Sequence, residues 1–456
     1  MADLAHESGM EDAMSISGKD ILDLGFPPGP HIPAMIERAR QMPEANAETL
    51  RAALAPLAPA PAIPLKPPGD FALLAEATNA DEAANLAAVS ETMAALTRTP
   101  VVRAAAALPD ACPAGPVGTI PVGGVAVSEA IHPGMHSADI CCSVAISIYP
   151  DLAPAQVMDR VHAATHFGPG GSDKIAMPAA LGAQIAANPL TKPHLTTADH
   201  HFGTQGDGNH FAFVGRLASD GRTALVTHHG SRGFGARLYK AGMKLAEEER
   251  RKRSPETLRQ NAWITADSPQ GETYWDALQI VRAWTKASHF ALHDAVGRAT
   301  DRFWNEHNFV FRKTDGLFYH AKGATPAYPG WAADATELTL IPLNMAQPVL
   351  IARGRNNSDA LGFSPHGAGR NFSRSEHKRR GLGDVAAETA GLDARFYCGI
   401  PDATELPSGY KNAAELRRQI DHFGLAEIVD EVLPYGAIMA GDWERDAPWR
   451  QKRAKP

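Results

Sequence analysis

The sequence predicts an α+β fold: one large domain of mixed sheets with flanking helices over residues 71–456, preceded by an Ala/Pro-rich appendage and linker over residues 1–70. Three observations predict it. Short β-type runs separated by Gly-rich turns fill about residues 100 to 240. A long helical pattern follows, and then more strand-like runs. Strands and helices mix without a clean βαβ period, and no internal repeat is present, which argues against a doubly wound sheet.

The elements follow in order. LAPLAPAPAIPLKPPGD closes the appendage, and its composition suits a helical or extended segment with a Pro-rich linker rather than a core. DEAANLAAVSETMAALTR (81–98) spaces Ala, Leu and Met as a helix does. VGTIPVGGVAV, SVAISIY, FAFVGRL and TALVTHHG supply the β-type runs. Residues 272–306 predict a long helix in one or two pieces. Its stripe of Tyr274, Leu278, Val281 and Trp284 is continued by Ala291 and Ala295, and His307 and Asn308 follow at its end. FYHAK, TELTLIPL and PVLIARG predict strands. The Gly-rich GFSPHGAGRNFSR predicts a loop, AAELRRQIDHFG a helix, and EIVDEVLPYGAIMAG a final apolar run.

Composition narrows the class. Hydrophobic residues at 44% and charged residues at 21% are ordinary for a soluble globular chain with a sizeable core. No apolar run is long enough to span a bilayer, and the first twenty residues lack the basic and apolar regions of a secretory signal. Four cysteines in 456 residues do not make a disulfide scaffold, so a reducing, cytoplasmic setting is expected. The net charge of -7 counts mildly against a nucleic-acid partner, although ERRKRSPETLR (249–259) and RSEHKRR (374–380) are local basic clusters. Their plainer reading is a solvated helix face. Nineteen histidines are more than a core is expected to use, and histidine is the commonest metal ligand.

Five segments carry the chemistry. In HSADICCSVAI, Asp139 and Cys142 stand three apart in a turn, where a carboxylate and a thiolate can meet a metal and the thiolate can bridge two. Taken alone, a buried structural cysteine beside a turn-capping Asp is the stronger reading, at about three to one. In HFGTQGDGNHFAFVG, Gly206 and Gly208 allow a tight turn before Asn209 and His210. In ALVTHHGSRGFG, a strand delivers His228 and His229 to its end, with Arg232 available to an anion. In WNEHNFVF, His307 alone fits a helix C-terminus. In SPHGAGRNFSR, His366 precedes small residues that let backbone N–H groups approach a phosphate, and a histidine can be a nucleophile there. Together, a carboxylate, a thiolate, three histidines and a separate His in a phosphate-type loop suit a two-metal site for phosphoryl or nucleotidyl transfer.

In this order the segments resemble the RtcB family of RNA ligases, from about residue 108 to 441. LPDACPAGPVGTIPVGG is similar to that family's PDxH…G…IP segment, ADICC to D-I-G-C, GDGNHF to G-x-GNHF, and THHGSRGFG to H-x-GSRG. EHN is similar to its HN element, HAKGAT to RKGAT, SPHGAGRNFSR to SHGAGR-x-x-SR, and PSGYK to AYKD. The resemblance implies joining of an RNA 3′-phosphate or 2′,3′-cyclic phosphate end to a 5′-hydroxyl end, with GTP and two Mn²⁺ ions. An activating protein is left open. It implies that Cys142 bridges the ions, with Asp139 and His210 completing one ligand set and His228 and His307 the other. His366 would carry GMP, oriented by Asp110, while Asn209, Gly367, Ala368, Gly369, Arg370 and Tyr410 would contact the nucleotide. The departures are Phe213 for a guanine-reading Glu, Ala321 and Pro326 for arginines, Pro342-Leu343-Asn344-Met345-Ala346 for PGSMG, and Ala440 for a nucleotide-contacting Lys. They leave open a divergent nucleotidyltransferase or end-repair enzyme, or a catalytically silent metalloprotein that binds RNA ends.

Overall fold

A computed structural model describes residues 16–58, 61–326, 330–332 and 334–443. The chain divides into two compact units between Ile63 and Pro64. In the first, helices Gly18–Asp23, Ile32–Arg40 and Ala47–Leu54 enclose Ile21, Met35, Ala39 and Leu54. The appendage therefore has a small core of its own, which its Ala/Pro bias concealed.

The second unit is α+β, as expected. Its larger sheet runs in the order β11 (Leu338–Pro342), β12 (Val349–Gly354), β15 (Ala426–Met439), β5 (Phe211–Leu217), β6 (Thr223–His229), β4 (Ser143–Tyr149) and β7 (Arg302–Glu306), with β14 (Asp393–Phe396) parallel to β15. A five-stranded sheet runs β1 (Ala72–Leu73), β2 (Val102–Cys112), β3 (Val122–Ser128), β9 (Phe318–Lys322) and β8 (Asn308–Arg312). The short strands β10 (Ala324–Pro326) and β13 (Phe363–Pro365) pair with each other. His307 occupies the single position between β7 and β8, where the chain leaves one sheet for the other.

The long helix is Pro269–Val296, capped by the Ser268 hydroxyl, which accepts from the Gly271 N–H. Its buried stripe of Tyr274, Leu278, Val281, Trp284, His289, Leu292 and Val296 follows helical spacing. The predicted helix overran by ten residues, because residues 302–306 form β7. His307 is thus an inter-strand residue and not a helix terminus, and no helix dipole explains it.

Many histidines belong to the core, contrary to the expectation from their number. His132, His136, His229, His289, His293 and His320 are fully buried. Side chains alternate along β4 and β6, so Ser143, Ser147 and Thr227 face the long helix. The Thr227 hydroxyl lies 2.7 Å from both His289 Nδ1 and His293 Nε2, His289 Nε2 lies 3.1 Å from Ser143 Oγ, and His293 Nδ1 lies 2.8 Å from Ser147 Oγ. This network ties the strand that follows Cys142 to the strand that carries His228. The basic run after residue 249 ends helix Arg232–Arg253, with Arg250 and Arg251 paired to Glu247 and Arg253 paired to Glu249. No helix among the described residues is long and apolar enough to cross a membrane.

Candidate metal centre and nucleotide pocket

The ends of β4, β5 and β6 and the β7–β8 junction converge. Asp139, Ile140, Cys141 and Cys142 form a turn before β4, with Cys141 at φ +58. That turn is stitched to the junction by Cys141 N–H donating to Asn308 O (2.7 Å) and His307 N–H donating to Cys142 O (2.9 Å). Gly230 lies against the Asp139 carboxylate, and a Cβ at that position would collide with it.

Two donor triplets result, Asp139/Cys142/His210 and Cys142/His228/His307, with Cys142 common to both. Cys142 Sγ lies 3.2 Å from His228 Nε2 and 3.6 Å from His210 Nε2. His210 Nε2 lies 3.0 Å from Asp139 Oδ2, and His228 Nε2 lies 3.2 Å from His307 Nε2. Donor atoms around one four- to six-coordinate ion, with bonds of about 2.0–2.3 Å, stand about 2.8–3.8 Å apart, so these spacings fit a metal. The tautomers fit as well. His210 Nδ1–H donates to Gln205 O (2.6 Å) and His228 Nδ1–H to Asn209 O (3.0 Å), which turns both Nε2 lone pairs toward Cys142.

The electrostatics agree. Burial, reinforced by His210 and His366, lowers His228 to about 3, and burial holds His307 well below its usual value. Both rings are neutral and able to ligate at pH 7. Burial raises the Asp139 carboxyl, but the His210 ring beside it outweighs burial and brings the group to about 2. Burial and the neighbouring Asp139 push the Cys142 thiol well up, so a lone thiolate there is costly and a cation among these donors offsets the cost. The set suits Mn²⁺, Zn²⁺ or Co²⁺.

His366 follows β13, and its ring centroid is 4.7 Å from that of His307. Its Nδ1–H donates to Asp110 Oδ2 at 2.6 Å, so in the neutral ring the lone pair is on Nε2. Asp110 is fully buried near the end of β2, where the Lys411 ammonium donates to the Pro109 and Ala111 carbonyls on either side, at 2.8 and 2.9 Å. Gly369, at φ +71, packs on the Asp110 backbone where a Cβ would not fit.

One cavity opens beside His366 and His228. Its polar wall comprises Asn209, Gly367, Ala368, Gly369, Arg370, Arg374, Glu405 and Tyr410. Thus the expected nucleotide contacts are brought together around His366. Glu405 was missed. It is 2% exposed and gathers the Arg374 Nε–H (2.5 Å), the Tyr410 hydroxyl (2.6 Å) and Arg370 NH1 (3.6 Å). Its position five residues before Tyr410 was the available signal. Of the departures, Phe213 and residues 342–345 line the cavity, whereas Ala440 packs in a separate cluster with Tyr149 and Val214. Ala321 is buried in the main core and Pro326 pairs with Phe363 on β13. Arg232 opens helix Arg232–Arg253 beside Asp139, held by Thr204 Oγ1 and Gly168 O.

An α+β scaffold thus sets two candidate metal-binding triplets that share a thiol beside a glycine-rich loop and a carboxylate-tethered histidine, an arrangement suited to phosphate chemistry. A family model described as tRNA-splicing ligase RtcB matches residues 155–440, more than half of the chain, and the protein belongs to the RtcB family. It is similar to the tRNA-splicing ligase RtcB of Archaeoglobus fulgidus (27% identical over 286 residues, 51% of this chain and 58% of the relative). It is similar also to the RNA-splicing ligase RtcB of Mycobacterium tuberculosis (26% over 278 residues, 52% and 64%) and the tRNA-splicing ligase RtcB of Methanopyrus kandleri (26% over 296 residues, 52% and 30%). The match thus spans between about a third and two thirds of these relatives' length. The matched segment contains His210, His228, His307 and His366. Asp110, Asp139 and Cys142 precede it, and the fold brings them to the same place.

Proposed function

We propose that this protein is an RNA ligase that transfers a nucleotidyl group from GTP or a related nucleoside triphosphate through His366 and joins an RNA 3′-phosphate or 2′,3′-cyclic phosphate end to a 5′-hydroxyl end. The single observation that carries this reading is His366 itself. One ring nitrogen is tied to a buried carboxylate, and the ring stands between a phosphate-type loop and the donor triplets. Asp139, Cys142 and His210 would hold one Mn²⁺, and Cys142, His228 and His307 the other. Bound there, the ions would neutralise phosphate charge.

The chain's own residues do the rest. The Nε2 lone pair of His366 attacks the α-phosphorus. A P–N bond forms, the α–β P–O bond breaks, and pyrophosphate leaves with the electron pair. Nδ1 keeps its proton on Asp110, whose charge balances the imidazolium-like adduct. A 2′,3′-cyclic end is first opened by water, which adds to phosphorus as the P–O2′ bond breaks; the RNA 3′-phosphate oxygen then displaces His366, and the 5′-hydroxyl displaces the nucleoside monophosphate and gives its proton to solvent. Arg370 and Arg374, with Asn209, neutralise and orient the phosphates.

Incubation with Mn²⁺ and α-³²P-labelled nucleotide tests the reading. It predicts an acid-labile covalent adduct that is absent from His366→Ala, and joining of a 3′-phosphate RNA to a 5′-hydroxyl RNA. A folded protein giving no adduct with any nucleotide refutes it and favours a protein that binds RNA ends without chemistry.

A further inference from the structure

The wall of the cavity facing away from the arginines is apolar. Phe211 and Phe213 on β5 and Ala437 and Met439 on β15 are direct cross-strand partners, Phe213 with Ala437 and Phe211 with Met439. With two-residue alternation all four side chains share one face of the sheet. Val349, Leu343 and Met345 complete the wall, and Phe213, Val349, Ala437 and Met439 continue into a buried apolar cluster. A nucleotide with its α-phosphate at His366 and its phosphates along the Gly367–Arg370 loop can lay its base against this wall, beside Asn344.

A site that selects guanine needs an acceptor for the N1–H and N2–H₂ donors of the base. Among the described residues lining the cavity, the one carboxylate is Glu405, and it stands at the polar end. Both its oxygens are engaged, by Arg374 on one side and by Tyr410 and Arg370 on the other. Pro342 O accepts from the Ala368 N–H. The Asn344 side-chain oxygen accepts from the Ala346 N–H, which orients the amide and keeps one of the oxygen's two lone pairs occupied, and its amide nitrogen is a donor. A donor serves O6 or N7 of guanine and N1 or N7 of adenine alike.

We infer that the pocket holds the nucleotide by its phosphates and by apolar contact with the base, and does not select guanine over other purines. This inference rests on the nucleotidyl-transfer reading of the same site. ATP and ITP are then substrates for the adduct alongside GTP.

Single-turnover adduct formation by the full-length protein, with Mn²⁺ and α-³²P-labelled GTP, ITP, ATP or UTP, tests it. The expected kcat/KM values for GTP, ITP and ATP lie within about thirtyfold of each other, against the 10⁴–10⁵ discrimination of sites built to hydrogen-bond their substrate. GTP favoured over ATP or over ITP by more than about thirtyfold overturns the inference while leaving nucleotidyl transfer intact. No adduct with any nucleotide overturns both. Phe213→Leu, which keeps the wall apolar, is expected to raise KM for GTP and ATP by a common factor of about five to ten, through lost contact area with the base. A change confined to GTP also overturns the inference.

Discussion

Replacing Cys142 by alanine removes the one atom shared by the two donor triplets. The sulfur lies 3.2 Å from His228 Nε2 and 3.6 Å from His210 Nε2, and without it each triplet retains two protein donors. A four-ligand structural zinc site is worth about 10–16 kcal/mol, or about 3 kcal/mol per ligand, so the loss costs each ion a factor of about 10² in affinity. Because the ligand is shared, the cost falls on both ions. His307→Ala touches one triplet only and leaves Asp139, Cys142 and His210 complete. The assay is metal content per chain by mass spectrometry after exchange into a buffer with a weak chelator, with circular dichroism to confirm folding. The expected result is near two for the wild type, near one for His307→Ala and near zero for Cys142→Ala. A folded Cys142→Ala protein that keeps one ion at full occupancy refutes the shared-thiol geometry.

Four further outcomes follow. Asp110→Asn keeps the shape around the His366 ring but removes a charge-assisted bond worth about 1.5–3 kcal/mol, so adduct formation should slow by about 10- to 150-fold in single-turnover assays. An unchanged rate would discard Asp110 as the orienting group. Gly230→Ala pushes a methyl group into the Asp139 carboxylate and should empty the Asp139/Cys142/His210 triplet while His228 and His307 still bind, read by metal content. Glu405→Gln leaves Arg370, Arg374 and Tyr410 without their common anion and should raise the half-saturating nucleotide concentration about tenfold. Stability should fall with acid. Burial lowers His132 and His136 to about 4 and His293 to about 3. The unfolded chain takes up protons below about pH 6.5 that the folded chain refuses until about pH 4, so stability is full above pH 6.5 and is lost as pH drops. Three such groups give a slope of about 4 kcal/mol per pH unit in that window. A denaturant midpoint unchanged between pH 7 and pH 5 would contradict it.

The residues of the site were legible in the sequence, and their surroundings were not. Asp139, Cys142, His210 and His228 stand at turn–strand boundaries that glycines and β-branched runs announce, and His366 stands in an unmistakably small-residue loop. His307 was found as a residue and misplaced as structure. The helical stripe does not itself mark where it stops, and residues 302–306 are long enough only for a single short strand. Whether a histidine ligates a metal or packs cannot be read locally. His228 and His229 are neighbours, yet strand alternation sends His228 to Cys142 and His229 to stack on His289 at 3.5 Å. Glu405 and Lys411 escaped because their partners, Arg374 and the carbonyls beside Asp110, lie 31 and about 300 residues away in the chain. The core of the first unit escaped because four buried side chains are too few to stand out against an alanine background.

His307 sits at the one-residue crossing between the two sheets, and the site draws on segments very far apart in sequence. His307 meets His228 across 79 residues, and His366 meets Asp110 across 256. Synthesis from the N-terminus therefore imposes a timetable. Asp139, Cys142 and His210 all emerge early, but the turn that carries Cys142 is stitched to residues 307 and 308 and is fixed only once they follow. A nascent chain cannot close the second triplet before residue 307 emerges, nor orient a nucleophile before residue 366 has folded back onto β2. Both donor triplets and the tethered histidine of the proposed site are therefore complete only after residue 366 of 456 has emerged and folded back.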